Sequence, residues 1–379
     1  MLSIVISIIA FGLLVLFHEL GHFVFAKLFK ITVVEFSLGL GPTLCGAVKG
    51  ETKYSLKAFP FGGACLMLDE ELDEAPEEEN AAPEKREVIT FQGRDFDRKK
   101  QFNLAKPWKR FLILLGGPLF NFILALVLGI VITVVSGYDR PVILGVKEGS
   151  PAYEAGVRAG DFVSGLSVDG RYSTVKTARD IALFFTANEQ LIYNDAPVEI
   201  SYVTPEGEKH SGTMVSRYDE ETGRKIMGLS YSYNYQPADG LSDTVEMGIH
   251  EAVYSVRTSV ESLRMMFRGE VSADDIGGPV MIVATMDEAV SSANENYGTA
   301  SAVLTLLSMC ILLSGSLGFM NLLPFPALDG GKILLVLAEI VTGKRLPKKV
   351  ENGINMAGML ILLLLMFVIL FKDIFTLIG

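Results

Sequence analysis

The stretch that decides the fold is LSIVISIIAFGLLVLFHELGHFVFA (2–26). It contains no Lys or Arg, and a helix rising about 1.5 Å per residue would cross a hydrocarbon core of about 30 Å over this length. A secretory signal peptide would have a basic start and an A-x-A-like cleavage site, and this stretch has neither. It also carries His18, Glu19 and His22, which are costly inside a bilayer. We therefore interpret it as a retained membrane span that contains a functional site.

Three further runs almost without charge occupy 111–135, 299–323 and 353–371. Half of the 379 residues are apolar, and soluble proteins rarely concentrate that surplus in four runs of this length. The sequence therefore predicts a polytopic α-helical membrane protein with four transmembrane helices. The three scattered cysteines do not form a disulfide framework, and we expect free thiols without a role.

Basic residues near the spans predict the orientation, because cationic flanks stay in the cytoplasm. Two loops are basic: the one before the second span (Arg94, Arg98, Lys99, Lys100, Lys106, Lys109, Arg110) and the one before the fourth (Lys344, Arg345, Lys348, Lys349). The segment 136–298 should then lie outside. The net charge of −11 comes largely from the run at 69–87, which is predicted to be a flexible, solvated loop. No basic patch with interleaved aromatic residues indicates nucleic-acid binding.

The external segment is predicted to be a small β-rich domain followed by helices. Strands are expected at 142–146, 198–203, 209–217 and 226–233, and Pro205-Glu206-Gly207 should form a hairpin turn. Helices are expected after the N-cap residue Ser150 and over 177–185. An amphipathic helix over 242–267 could lie on the membrane surface or pack on the domain, and the sequence does not decide between them.

The strongest chemical signal is His18-Glu19-Leu20-Gly21-His22. Residues i and i+4 share one face of a helix, so both imidazoles can reach one zinc ion. Glu19 lies beside them and can take the proton of a water molecule that attacks a carbonyl. Three ionisable residues within an apolar helix are costly and need a reason, and the alternative to a zinc site is a buried polar network that braces helices.

A third ligand is expected at a similar depth, and the candidate is Asp329 in NLLPFPALDGG (321–331). Pro324 and Pro326 interrupt the helix, and irregular backbone at membrane depth is tolerated only beside protein or a wet cavity. Asp329 is the only acid of this segment. Asn321 could donate hydrogen bonds to the substrate carbonyl, or it could bond between helices.

Taken together, HELGH (18–22), GGPLFNFILA (116–125) and NLLPFPALDGG (321–331) resemble the site-2 protease family, in particular its bacterial RseP/RasP-type branch. The resemblance extends over nearly the whole chain. It implies an intramembrane zinc endopeptidase with Zn²⁺ held by His18, His22 and Asp329, and with Glu19 as general base. It also implies that Asn121 and Asn321 position the substrate.

Two further segments resemble parts of that family. GSPAYEAGVRAGDFVSGLSVDG (149–170) resembles a PDZ domain, which could bind peptide ends or gate access. FSLGLGPTLCG (36–46) and YSLKAFPFGGACLML (54–68) resemble a membrane-re-entrant β-hairpin loop that offers an edge strand to an unwound substrate. The fold class is thus a four-span membrane protein with a membrane-associated β-hairpin loop and one extracytoplasmic PDZ-like α+β domain.

The sequence predicts nine consecutive segments. They are a first span with HExxH (1–28), the re-entrant β-loop (29–68), an acidic then basic cytoplasmic loop (69–110), the second span (111–135), the PDZ-like domain (136–235), an amphipathic helical linker (236–298), the third span with its motif (299–331), a cytoplasmic loop (332–352) and the fourth span (353–379). The protein should be a multi-pass protein of a bacterial cell membrane, with the active site toward the cytoplasmic side.

The expected function is the second cut in regulated intramembrane proteolysis. By resemblance, the substrates are single-span membrane proteins such as anti-sigma factors or remnant signal peptides. Two other function classes are a membrane scaffold with a structural metal and a metal transporter. A structural zinc site is usually closed and needs no adjacent base, and a transporter needs polar groups along a path, of which the third and fourth spans offer few.

Overall fold

The computed structural model describes residues 2–69, 87–231, 235–271 and 277–378. Residues 70–86 of the acidic run lie outside the described residues, as does Ile276. The chain divides into two compact units. The first comprises Met1–Ala125 and Ser272–Gly379, and the second comprises Leu126–Val271.

Four long helices carry the apolar runs: α1 (Leu2–Leu28), α2 (Pro107–Ser136), α8 (Thr299–Leu322) and α10 (Lys348–Ile378). Each contains a segment long and apolar enough to cross a membrane, and these segments are Ile4–Leu28, Pro107–Ser136, Thr299–Leu322 and Lys349–Asp373. Among the described residues, these four helices are consistent with the predicted polytopic membrane protein.

The first unit also contains two long, bent strands, β1 (Val33–Lys49) and β2 (Thr52–Met67). The first part of β1 pairs with both halves of β2, so Phe36 faces Cys65 on one side and Tyr54 on the other. The first seven residues of β1 are mostly buried, whereas its remaining residues are exposed. A short hairpin follows, formed by β3 (Val88–Phe91) and β4 (Arg94–Asp97).

Two shorter helices pack among the long ones. Helix α7 (Pro279–Tyr297) packs along α1 and α8, and Asp373 of α10 accepts hydrogen bonds from the backbone N–H groups of Gly278 and Met281, both at 3.1 Å. Such side-chain acceptors satisfy the orphan donors of a helix start. Helix α9 (Asp329–Thr342) covers the last three residues of the expected third span (299–331) and the first part of the expected loop at 332–352, and its apolar face packs against α2.

The second unit has a four-stranded antiparallel sheet in the order β10-β9-β7-β8. Its strands are β7 (Phe162–Val168), β8 (Arg171–Thr174), β9 (Val198–Val203) and β10 (Lys209–Met214). Around it lie β5 (Tyr138–Asp139), β6 (Ile143–Val146), α3 (Pro151–Glu154), α4 (Ala178–Ala187), α5 (Glu189–Tyr193), β11 (Arg217–Asp219), β12 (Arg224–Ile226), β13 (Leu229–Tyr231) and β14 (Tyr235–Gln236). Helix α6 (Leu241–Phe267) follows the strands.

The predicted N-cap at Ser150 is confirmed, and the helix expected over 177–185 begins with a capping box that the sequence analysis did not predict. The Ser150 side chain accepts from the N–H of Tyr153 at the start of α3, and Thr177 and Asp180 form a reciprocal capping box at the start of α4. The core combines β-sheet residues with the inner face of α4, including Leu166, Ile181 and Ile200. The expected strand over 209–217 is observed as β10, which ends at Met214. Of the strand expected over 226–233, residues 229–231 form β13, and residues 232 and 233 lie outside the described residues.

Candidate metal centre

Helix α1 places His18 and His22 one turn apart on one face, as the i, i+4 spacing requires. Their Nε2 atoms lie 3.2 Å apart, and both side chains are nearly buried. The Oδ2 atom of Asp329 lies 3.1 Å from Nε2 of His18 and 3.2 Å from Nε2 of His22. The three predicted ligands are thus brought together by two segments far apart in the sequence.

Glycines allow α1 and α2 to approach closely beside these imidazoles. A Cβ atom on Gly21 would lie 2.0 Å from the carbonyl oxygen of Gly116, and one on Gly117 would lie 2.4 Å from Nε2 of His22. Small residues permit such backbone contact between membrane helices. The resemblance implies that Asn121 in this stretch positions the substrate, but the sequence alone does not show that the glycines of the stretch make room for the two histidines.

The start of α9 positions Asp329. The chain leaves α8 at Leu323, and Ala327 adopts a positive φ of 74° before α9 begins at Asp329. A Cβ atom on Gly330 would lie 2.3 Å from the carbonyl oxygens of Leu322 and Leu323. The two residues after Leu328 are therefore folded tightly against the end of α8, and this holds the carboxylate toward α1.

The donor atoms fit one small metal ion. Two imidazole nitrogens and one carboxylate oxygen are a typical donor set for catalytic zinc, and tetrahedral bonds of about 2.0–2.1 Å place neighbouring ligand atoms about 3.3 Å apart. The three separations of 3.1–3.2 Å agree with that spacing. The buried Oδ2 of Asp329 has no aligned hydrogen-bond donor among the described residues, so a cation would satisfy it.

The other ring nitrogens of the two histidines have partners that set their orientation. Nδ1 of His22 donates to the carbonyl oxygen of Ile113 at 2.8 Å, which leaves Nε2 free to bind metal. The side-chain amide of Asn121 lies 3.2 Å from Nδ1 of His18, and Asn121 is fully buried. Oδ1 of Asn121 lacks a partner among the described residues. An imidazole that binds metal through Nε2 carries its proton on Nδ1, so the side-chain oxygen of Asn121 is the atom that would accept from Nδ1–H of His18.

Strand β2 lies beside Glu19. The backbone N–H of Cys65 donates to Oε2 of Glu19 at 2.9 Å, and Gly63 passes so close that a Cβ atom there would lie 3.2 Å from Cγ of Glu19. The contact is made by the backbone of Cys65, and the expectation that its thiol has no role stays a prediction. Burial raises the pKa of this thiol far above its usual value, with a smaller contribution from Glu19.

Asn321 is the predicted residue that stands apart from this cluster. Its Nδ2 donates to the carbonyl oxygen of Leu317 within α8 at 3.0 Å. That bond satisfies one amide proton inside the helix itself. The substrate-positioning role of Asn321 therefore stays a prediction.

Comparison with known proteins places this geometry in a family. The profile of peptidase family M50 matches residues 6–365. The chain belongs to peptidase family M50. The recognition of a site-2 protease is thereby confirmed. This M50 peptidase is a zinc-dependent metalloendopeptidase, which agrees with the enzyme class and cofactor predicted from the HExxH motif.

Its relatives match over nearly their whole length. A protein of Clostridium acetobutylicum named as a zinc metalloprotease is 33% identical over 372 residues, which are 98% of this chain and 97% of the relative. One of Clostridium perfringens with the same kind of name is 33% identical over 98% of both chains. One of Fusobacterium nucleatum is 30% identical over 99% of both.

Proposed function

We propose that this M50 peptidase cleaves single-span membrane proteins at the level of the bilayer. The observation that carries the proposal is the position of the ligands within an apolar helix. His18 lies ten residues before the end of the span Ile4–Leu28, which is about 15 Å along the helix. A site at that depth favours substrates that are themselves embedded in the membrane.

Each residue of the cluster has a distinct role in the proposed reaction. His18, His22 and Asp329 hold zinc, which when bound acidifies water and polarises the scissile carbonyl. Glu19 accepts the proton of the attacking water and delivers it to the departing nitrogen. Asn121 keeps the His18 ring oriented by accepting from its Nδ1–H. Its proposed role is therefore to orient a zinc ligand and not to position the substrate.

We also propose that β2 receives the substrate as an added strand. A helical peptide bond is shielded by its own hydrogen bonds, so the substrate must become extended before cleavage. The contact between the Cys65 amide and Glu19 supports this role, because it places a strand within hydrogen-bond distance of the base. A substrate strand aligned with β2 would bring its carbonyls to the metal cluster.

The second unit is proposed to be a PDZ-like domain on the extracytoplasmic side of a bacterial cell membrane. It contains a cavity of about 890 Å³ lined by Phe185 and Thr186 on one side and by Gly228, Leu229 and Tyr231 on the other. Strand β13 pairs with β6 on one edge, and no strand among the described residues pairs with its other edge. An extended peptide end fits that edge, which supports a filter that admits substrates already shortened outside.

The test compares the parent with Glu19→Gln, using Glu220→Gln at an exposed position as the matched control. Purified proteins are assayed for bound zinc and for cleavage of a single-span substrate in liposomes. We expect one zinc per chain in all three proteins and loss of cleavage in Glu19→Gln alone. Equal cleavage by Glu19→Gln and its parent would contradict the role of Glu19, and absence of zinc from all three would contradict the site.

A further inference from the structure

The basic residues before the second span all lie in the described part of the chain, and Arg110 is the only one that is buried. Its neighbours Lys106 and Lys109 are exposed and half-buried. The Nη2 atom of Arg110 donates to Oε2 of Glu339 on α9 at 2.6 Å. A buried charge at the start of an apolar helix is costly, so Arg110 needs a reason beyond setting the orientation of the chain.

One face of α2 connects Arg110 to the metal centre. Ile113, Gly117 and Asn121 follow Arg110 at helical spacing and lie on the same side of α2. The carbonyl oxygen of Ile113 holds one imidazole, Gly117 makes room for both, and Asn121 contacts the other. The charge of Arg110 therefore lies at one end of the face that supports the two histidines.

Helix α9 presents a matching face to α2. Ile333, Val336 and Glu339 follow Asp329 at spacings of three or four residues. Ile333 and Val336 pack with Leu114 of α2 in one buried cluster. Glu339 lies ten residues after Asp329, which is about 15 Å along the helix. The two helices thus touch along one seam, with the proposed metal ligand at one end and the ion pair at the other.

Two contacts hold α9, one near each end. At its start, a Cβ atom on Gly331 would lie 2.3 Å from the carbonyl oxygen of Phe325, so the first turn lies tightly against the preceding loop. Toward its other end, Glu339 is held by Arg110. Apolar contacts are non-directional and let a helix slide or tilt, whereas a buried ion pair can specify one register. The pair therefore fixes how α9 lies along α2.

We infer that the Arg110–Glu339 pair positions Asp329 for zinc by setting the register of α9 along α2. The inference rests on the proposed ligand set, and both residues act through the helices that carry them. Metal–ligand distances tolerate changes of only about 0.2 Å. A small slide or tilt of α9 would thus move the Asp329 carboxylate away from the imidazoles of His18 and His22. Zinc affinity should then fall although all three ligands are intact.

The experiment measures two properties of full-length variants in detergent. Thermal melting of the metal-free protein reports stability, and competition with a fluorescent chelator reports zinc affinity. The variants are Glu339→Gln alone, Glu339→Gln with Arg110→Met, Glu339→Asp and Asp329→Asn. The matched control is Arg345→Met with Glu351→Gln, which removes a half-buried ion pair of 3.4 Å from the same unit.

We expect Glu339→Gln to lower both the melting temperature and zinc affinity. Adding Arg110→Met should raise the melting temperature again, because no buried charge is left unpaired. Zinc affinity of the double variant should stay about 10-fold below the parent's, the lower end of the range for lost partners of zinc ligands. Glu339→Asp keeps the charge but shortens the side chain by one methylene, so it should also weaken zinc binding. The control should bind zinc like the parent.

Parent-like zinc affinity in the double variant and in Glu339→Asp would overturn the inference, because the pair would then contribute to stability alone. If the double variant does not fold, Glu339→Asp decides by itself. An equal loss of zinc affinity in the control would also overturn the inference, since zinc affinity would then follow the loss of any ion pair. Asp329→Asn tests the ligand set separately: parent-like zinc affinity in this variant would contradict the proposed ligands, and the inference with them.

Discussion

Replacing Gly117 with alanine should disrupt the metal centre directly. The new methyl group would lie 2.4 Å from Nε2 of His22 and 2.7 Å from Cε1 of His18. Ordinary contacts begin near 3.4 Å, so at least one ring must move by about 1 Å. Separating the helices would relieve the clash only by opening the close backbone contact between Gly21 and Gly116 at the same crossing.

A shift of that size is large compared with the tolerance of metal–ligand bonds, which is about 0.2 Å. Disturbing the partners of zinc ligands typically costs 10- to 100-fold in metal affinity. We therefore expect Gly117→Ala to weaken zinc binding by about 100-fold, or about 2.7 kcal/mol. When free zinc is buffered at the parent's dissociation constant, zinc occupancy should fall from one half to about 1%, so cleavage should fall about 50-fold.

The assay is competition with a fluorescent chelator in detergent, followed by cleavage in liposomes. Gly353→Ala in α10 is the matched control, because a Cβ atom there meets nothing within 4 Å. It should leave both measurements unchanged. Parent-like zinc affinity in Gly117→Ala would refute the reasoning that the glycine makes room for the two imidazoles.

Three other changes test separate contacts. Asn121→Leu should lower zinc affinity about 10- to 100-fold, because it removes the partner of the His18 ring. Asn121→Asp keeps an acceptor for His18 and should bind zinc nearly as tightly as the parent. Equal losses of zinc affinity in both variants would contradict the orienting role of Asn121. The pKa of Asp180 in the folded protein is about 2, below its ordinary value of 3.8, because contacts with a histidine and an arginine outweigh the effect of burial. The ionised carboxylate therefore contributes about 2 kcal/mol to the free energy of unfolding, and this contribution is present above pH 4 and lost as pH falls toward 2. Asp180→Asn should therefore flatten the acid-induced loss of amide protection in α4, measured by hydrogen exchange. Glu339 forms an ion pair with the buried Arg110 at 2.6 Å. Glu339→Gln should lower the free energy of unfolding by about 3 kcal/mol, because it leaves the Arg110 charge buried without a partner. Adding Arg110→Met to the same chain should restore part of the thermal stability.

The ligands could be predicted from the sequence because two simple constraints identify them. Helical spacing alone places His18 and His22 on one face of α1. The proline-interrupted segment at membrane depth needs a polar neighbour, and Asp329 is its only acid. Both constraints depend only on local sequence, so they can be applied without knowing how the helices pack. The structure brings the three side chains together.

Features that depend on packing between distant segments were not predictable. Helix α9 was expected to be a loop, and it is stabilised by Ile333 and Val336 against Leu114 of α2. The linker helix α7 packs within the first unit because Asp373, 92 residues after Met281, caps its start. The sequence predicts that α6 is amphipathic, but it does not predict which face of α6 is buried. Glu251 is buried because it pairs with Arg179 of α4, a contact between distant segments.

The glycines link the motifs to the geometry of the metal centre. Gly21, Gly116 and Gly117 let α1 and α2 touch through their backbones, and Gly330 lets α9 fold against the end of α8. Every ligand is thus held by a helix whose position depends on a backbone contact that a methyl group would prevent. Zinc affinity should therefore report on helix packing in the first unit, and any alanine placed at these four glycines should lower it even when Glu19 and all three ligands are intact.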